Sequence, residues 1–219
     1  MNELFIMRFN QEIDVTRYDK ILSNYRLRKI KGSLLSHNVQ TNICIELLLI
    51  YALKTRLPNL HLPLDIEIKG NGKPFLKNAS IFYNCSHSKD GYAVAISSND
   101  IGVDIEATRY IENRLAKNYF DEILYKTWLQ FDARDQTHVY LNYWVKRESH
   151  TKLYSDSIYN IHEKIIVRDD SVISSCGSSF HVTKIVNGFY ASVATFTKQD
   201  LVIKEVSGDT LLNFFETLC

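Results

Sequence analysis

The chain has 219 residues, 45% of them hydrophobic and 23% charged, with a formal net charge of +1. That is enough to bury a core in one domain or two small ones, and eight glycines and three prolines are too few for a linker-rich or disordered chain. The near-neutral balance excludes a global field for nucleic acid or an anionic membrane, so any basic site must be local.

The opening stretch MNELFIMRFNQ carries a charge inside a short apolar run and has no cationic n-region. It reads as a first strand near 3–9 rather than as a secretory signal. Helical segments are expected near 16–30 and 37–55, the second stopped by Pro58. The first contains RLRKIK (26–31), a basic run that is either a solvated helix face or counter-charge beside a phosphate site. The most apolar run, 43–53, is about half the length of a membrane span and carries Glu46, so it reads as buried helix. Strands follow near 64–69, 79–84, 92–97 and 101–106. A helical stretch is expected near 111–131 and a helix near 137–153. Further strands are expected near 162–168, 179–186 and 189–196. Cys44, Cys85, Cys176 and Cys219 lie far apart without CxxC or metal-finger spacing, and read as reduced packing thiols of a cytoplasmic protein.

The order helix, strand, strand, tight turn, strand occurs twice. KDGYAVAI (89–96) and VNGFYASVATF (186–196) both set an XG turn before an aromatic and an Ala/Val alternation. The chain is therefore expected to be α+β, built from two similar halves, with a boundary near 106–110. A cleft between such halves is a usual place for a ligand.

Three stretches carry chemistry. In IGVDIEATR (101–109), a strand puts Gly102, Asp104 and Glu106 on one face, the carboxylates about 7 Å apart at the backbone. They can converge on a hard cation such as Mg²⁺ or form the solvated face of an edge strand. In NYWVKRESHTKL (142–153), an apolar helical stripe of Leu141, Trp144 and Val145 continues into Glu148 and Lys152. That pair is either an ordinary exposed i,i+4 bridge or a charged group where a buried face emerges into a cleft. In GNGKPFLKNASIFYNCSHS (70–88), a Gly-Asn-Gly turn leads through Lys73-Pro74 to Ser86-His87-Ser88. These are donors for phosphate oxygens, or simply a locally bonded turn.

GKP (72–74), a strand ending in NCSHS (84–88), IGVDIE (101–106) and, about forty residues on, WVKRESHTK (144–152) occur in that order. In order and spacing they resemble the 4'-phosphopantetheinyl transferases, specifically the surfactin-synthetase-activating type. The resemblance runs from the first strand to about residue 196. It implies a pseudo-dimer of two α/β halves, each a small antiparallel sheet on a long helix. The N-terminal half, 1–106, would hold the nucleotide side of coenzyme A. The C-terminal half, 107–219, would supply the metal-completing helix and the second sheet.

By motif, Asp104, Glu106 and Glu148 would hold Mg²⁺ (or Mn²⁺) on the pyrophosphate. Lys152 would neutralise nearby charge, with Glu148, Lys152 and Asp104 as the catalytic set. Ser86 and His87 would contact the phosphates, and Lys73 and Pro74 would line the nucleotide end. Arg26, Arg28 or Lys29 would replace the arginine the family often places where this chain has Asn38. The implied reaction moves phosphopantetheine from coenzyme A to a serine of an apo acyl or peptidyl carrier protein, releasing 3',5'-ADP. A monomer acting without nucleic acid or membrane is expected. Two departures stand out: Arg147 replaces the usual lysine before the glutamate, and LYSDSIYN (153–160) replaces a Gly-Lys-Gly stretch. Asn38 and the missing Gly-Lys-Gly stretch motivate one rival, a non-catalytic coenzyme A or carrier-protein binder. A Mg²⁺-dependent phosphate hydrolase is another, but it leaves the SHS and WVKRES motifs unexplained.

Overall fold

The computed structural model describes residues 1–77, 79–155 and 165–218. Strand β1 (Asn2–Arg8) is buried along nearly all of its length. Its alternation sends Leu4 and Ile6 to one face and Phe5 and Met7 to the other. A single 3-10 turn at Val15–Arg17, capped by Asp14, precedes α1 (Asn24–Lys31), whose N-cap Ser23 accepts from the Arg26 amide. One helix expected over 16–30 is thus broken in two by these caps, each of which offers the backbone a local alternative to a continuous helix. Helix α2 (Ser36–Arg56) carries the apolar run, and 43–50 are all buried, as expected for a helix enclosed on every side. Within it Glu46 is fully buried, and Arg26 meets it at 3.1 Å.

Short strands β2 (Ile66–Ile68) and β3 (Pro74–Leu76) form a hairpin across the GNGKP turn. Strand β4 (Phe82–Ser88) starts and ends later than the expected 79–84, and the SHS residues form its last three positions, at the strand end where the sequence puts them. It pairs antiparallel with β5 (Gly91–Ser97), followed by β6 (Ile101–Ala107). The stretch expected as helical over 111–131 is two short helices, α3 (Asn113–Tyr119) and α4 (Glu122–Trp128). Asp121 separates them by capping the Leu124 amide. Helix α5 (Ala133–Tyr154) begins at Asp132, whose side chain accepts from the Asp135 amide.

The strand expected over 162–168 falls partly outside the described residues; β7 (Ile166–Val167) is its described part. Strand β8 (Ser171–Ser174), not anticipated, precedes β9 (Gly177–Val186) and β10 (Phe189–Thr195), and two further unanticipated elements follow, β11 (Leu201–Val206) and α6 (Gly208–Glu216).

One sheet has the order β11-β1-β5-β4 and another the order β6-β10-β9-β8-β7. Leu4, Ile6, Ala93 and Ala95 of the first share one buried layer with Val103, Ile105, Ala191 and Val193 of the second. The opposite face of the first sheet (Phe5, Met7, Val94, Ile96) packs with α2 and α6. By alternation, the opposite face of the second sheet bears Gly102, Asp104 and Glu106, and α5 lies there. The fold is mixed α+β. Among the described residues no helix is long and apolar enough to cross a membrane.

Candidate active site

The site forms where β4, the edge of one sheet, runs beside β6, the edge of the other. No backbone ladder joins them; side chains on alternate positions of β4 do so instead. The Val103 amide donates to Asn84 Oδ1 at 2.9 Å, and the Ala107 amide donates to Ser88 Oγ at 3.1 Å. Between them, Ser86 Oγ donates to Asp104 Oδ1 at 2.8 Å, and Ser88 Oγ donates to Glu106 Oε2 at 3.0 Å. The two motif serines therefore meet the two motif carboxylates residue for residue. A period of two on both strands makes this register possible.

Helix α5 closes the site from above. A Cβ at Gly102 would stand 2.1 Å from the Ser149 carbonyl oxygen, so only glycine lets α5 lie this close to β6. Lys152 Nζ then reaches Asp104 Oδ1 at 2.6 Å and Ser86 Oγ at 2.8 Å. Residues 145–151 of α5 are all buried. The apolar stripe read from the sequence is thus corrected: this part of the helix is enclosed on all sides rather than along one face. Trp144, taken as core, is only half-buried. It packs with Tyr119 and Tyr140 and stands beside Glu106.

Burial, and next the Asp104 charge, push the Glu148 carboxyl up to about 7, against the opposing pull of Lys152 and Arg147. Glu106 is raised as well, by burial and then by Asp104. Asp104 Oδ2 is buried without a hydrogen-bond partner. Two carboxylates, Glu106 and Glu148, raised in part by the Asp104 charge, together with the orphaned Asp104 oxygen, are a donor set that suits a hard divalent cation. In their present rotamers they do not form a ready cluster: among the described residues no three His, Cys, Asp or Glu side chains stand together as a metal cage. Asp104 is turned to Lys152 and Ser86 instead.

The other expected residues fall in distinct places. His87 lies on the opposite side of β4 from Ser86, with its imidazole held below the usual range by burial and then by Lys152. Lys73 is buried, and its ammonium donates to the Ile101 and Leu153 carbonyls and to Asp100, each at 3.2 Å. It ties the GKP turn to the start of β6 and the end of α5. Pro74 lines a hollow with Lys69, Phe82 and Asp100. The Arg26 guanidinium faces inward to Glu46 and Asn42, while Arg28 and Lys29 are exposed. Lys29 Nζ lies 4.9 Å from the Tyr25 ring centroid. Arg147 lies over the Tyr119 ring. Most of the stretch 153–160 lies outside the described residues. Sequence reasoning missed Asn84 and Ser88 as seam residues, although their spacing with Ser86 is the strand period.

No protein-family model matches the chain. It is 30% identical over 166 residues to the 4'-phosphopantetheinyl transferase gsp of Aneurinibacillus migulanus, covering 73% of this chain and 68% of that one. It is 31% identical over 93 residues to the 4'-phosphopantetheinyl transferase psf-1 of Bacillus pumilus, covering 42% and 40% of the two chains. It is 34% identical over 82 residues to the 4'-phosphopantetheinyl transferase Sfp of Bacillus subtilis (strain 168), covering 37% of each. On the strength of the long match to gsp, this chain belongs to the 4'-phosphopantetheinyl transferases and is an enzyme of that type.

Proposed function

We propose that this enzyme transfers the 4'-phosphopantetheine arm of coenzyme A to a serine of an apo acyl or peptidyl carrier protein, with release of 3',5'-ADP and in the presence of Mg²⁺ or Mn²⁺. The observation that carries the reading is the meeting of Asp104, Glu106 and Glu148 with Lys152 and the SHS strand, drawn from both sheets and α5. Family membership supplies phosphopantetheinyl transfer in general. Asp104, Glu106 and Glu148 would hold the cation. When bound there, it supplies neutralising charge on the pyrophosphate oxygens.

The chain's own residues do the rest. The carrier serine oxygen forms a bond to the phosphorus that bears pantetheine. The bond from that phosphorus to the bridging oxygen breaks, and 3',5'-ADP leaves with the electron pair. Glu148, whose free carboxyl sits near 7, accepts the serine proton. Lys152 places an ammonium beside the transferred phosphate, and Ser86 and His87 donate to phosphate oxygens. Arg28 and Lys29 add counter-charge from α1. Lys73 and Pro74 shape the nucleotide end, Lys73 by anchoring the turn to α5. Arg26, paired with Glu46, acts by holding α1 in place.

Two similar halves, 1–106 and 107–219, joined as a pseudo-dimer, belong to the same reading. The support is that one sheet packs with long helix α2 and the other with long helix α5. Such a chain carries both sides of its site and works as a monomer in the cytoplasm, with no need of nucleic acid or membrane.

The test is intact mass spectrometry of apo acyl and apo peptidyl carrier proteins after incubation with this enzyme, coenzyme A and Mg²⁺. A gain of one phosphopantetheine that disappears with EDTA is the expected result. No gain on any carrier, with coenzyme A still bound, would replace the reading with a non-catalytic binder.

A further inference from the structure

A layer of hydroxyls and imidazoles lies between α5 and its sheet. Ser149 Oγ is 3.0 Å from Ser192 Oγ on β10 and 3.2 Å from His181 Nδ1 on β9. His181 Nδ1 also lies 3.1 Å from Ser192 Oγ. His181 Nε2 is 2.7 Å from Ser179 Oγ, and that same oxygen is 2.6 Å from His150 Nδ1. His150 Nε2 reaches Ser174 Oγ on β8 at 2.8 Å. Four elements are joined, and both imidazoles use both ring nitrogens. Ser149, His150, Ser179, His181 and Ser192 are all buried.

Apolar packing is non-directional, so a helix resting on it can slide by fractions of an ångström at small cost. Hydrogen bonds fix distance and angle, and a buried polar group that loses its partner is costly. A connected and satisfied network therefore specifies one register. This network sits where register matters. Ser149 and His150 lie between Glu148 and Lys152 in the chain. The Ser149 carbonyl also rests against Gly102, two residues before Asp104. The same residue of α5 is held from β6 through its backbone and from β9 and β10 through its hydroxyl.

We propose that His150 and His181 are positioning residues for the transfer: with Ser149, Ser174, Ser179 and Ser192 they set the axial register of α5, so that Glu148 and Lys152 meet Asp104. The inference rests on the transferase reading of that site. Neither histidine touches the site carboxylates in the structure's hydrogen bonds; both act through the helix.

His181→Leu removes the bonds and keeps the bulk, whereas His181→Gln retains a donor and an acceptor. The Leu variant should lose roughly tenfold or more in kcat, with KM for coenzyme A changed less than about threefold, because small misplacements of reacting groups cost rate before affinity. The Gln variant should recover most of that loss. Amide hydrogen exchange over 146–153 should quicken in the Leu variant and not in the Gln variant. Wild-type kcat together with wild-type exchange in His181→Leu would overturn the proposal. Should His181→Leu fail to fold, Ser192→Ala is read in the same way, and an unchanged kcat there overturns it. If the wild-type enzyme itself modifies no carrier, the transferase reading fails, and the exchange ranking still decides whether the network sets the helix register.

Discussion

Gly102 and Ser149 are in backbone contact across the site: a Cβ at Gly102 would lie 2.1 Å from the Ser149 carbonyl oxygen and 2.6 Å from the Leu153 amide nitrogen. Neither atom can move by a side-chain rotation. Gly102→Ala must lift a turn of α5 from β6, and that turn lies between Glu148 and Lys152. Overpacking of this kind costs about 1–3 kcal/mol. Transfer should fall by roughly tenfold or more even where the variant remains folded. Denaturant melts and carrier modification measured side by side check this; a variant with wild-type rate would show that α5 needs no such contact.

Asp104 accepts from both Lys152 and Ser86 and also carries an orphaned oxygen. Asp104→Ala should abolish turnover and lower stability by about 1–3 kcal/mol, since buried Ser86 and half-buried Lys152 lose their acceptor. Mg²⁺ should raise the melting temperature of the wild type and leave this variant unmoved. A Mg²⁺ response that survives in the variant would take Asp104 out of the cation site.

Glu148 is held protonated up to about 7 by burial and by the Asp104 charge, an arrangement that disfavours the charged folded state. Glu148→Gln keeps the shape and removes that charge. Its transfer rate should drop at least a hundredfold with coenzyme A affinity nearly kept, which is the signature of a proton acceptor. Its stability at neutral pH should equal or exceed that of the wild type. Calorimetry with coenzyme A alongside the kinetic assay separates these; a large loss of affinity with little loss of rate would reassign Glu148 to ground-state binding.

The two tryptophans should separate stability from activity. Trp128 is fully buried, so Trp128→Ala should cost about 3–5 kcal/mol. Trp144 is half-buried and stands beside Glu106, so Trp144→Ala should cost less, about 1–3 kcal/mol, yet slow transfer more per unit of stability lost. Chemical denaturation of both variants checks the ranking, and the reverse order would restore the reading of Trp144 as core.

Burial pushes His181 down from 6.5 to about 3, with His150 and Lys146 of α5 adding to the effect. Between those two values the unfolded chain binds a proton that the folded chain refuses. Stability from this group is complete above pH 6.5 and is lost as pH falls toward about 3, at about 1.4 kcal/mol per pH unit. His181→Gln removes this titration. Wild type minus variant stability should therefore decline from about pH 7 to about pH 5. A flat difference over that interval would mean that the imidazole is accessible to protons in the folded chain.

The site was legible in the sequence wherever one residue type sits at a fixed period. Asp104 and Glu106 alternate on one strand, and Glu148 and Lys152 share a helix face, so their common direction follows from backbone geometry. The apolar run 43–53 was legible as buried helix for the same reason. Other features depend on partners distant in the chain. Lys73 caps the Leu153 carbonyl from eighty positions away, and no local pattern announces that contact. Arg26 looked like one of four free cations, but Glu46 buries it. Trp144 satisfied the helical stripe, yet it sits at the margin of its core cluster, half-buried against Tyr119 and Tyr140. The breaks before α1 and α4 were written locally, as Ser23 and Asp121 in capping positions, and helical propensity over the longer window hid them.

The parallel pairing of β11 with β1 joins Asn2 to Leu201 and Met7 to Val206. Strand β1 therefore leaves the ribosome long before the strand that it pairs with in parallel. Until residues 201–206 emerge, β1 offers an unpaired edge on the side that β11 will cover, and the closing loop spans almost the entire chain. Long-range closure of this kind is slow and comes late. Nascent chains halted before β11 should thus be the form most exposed to strand-edge association, and the emergence of β11 the step that ends the hazard.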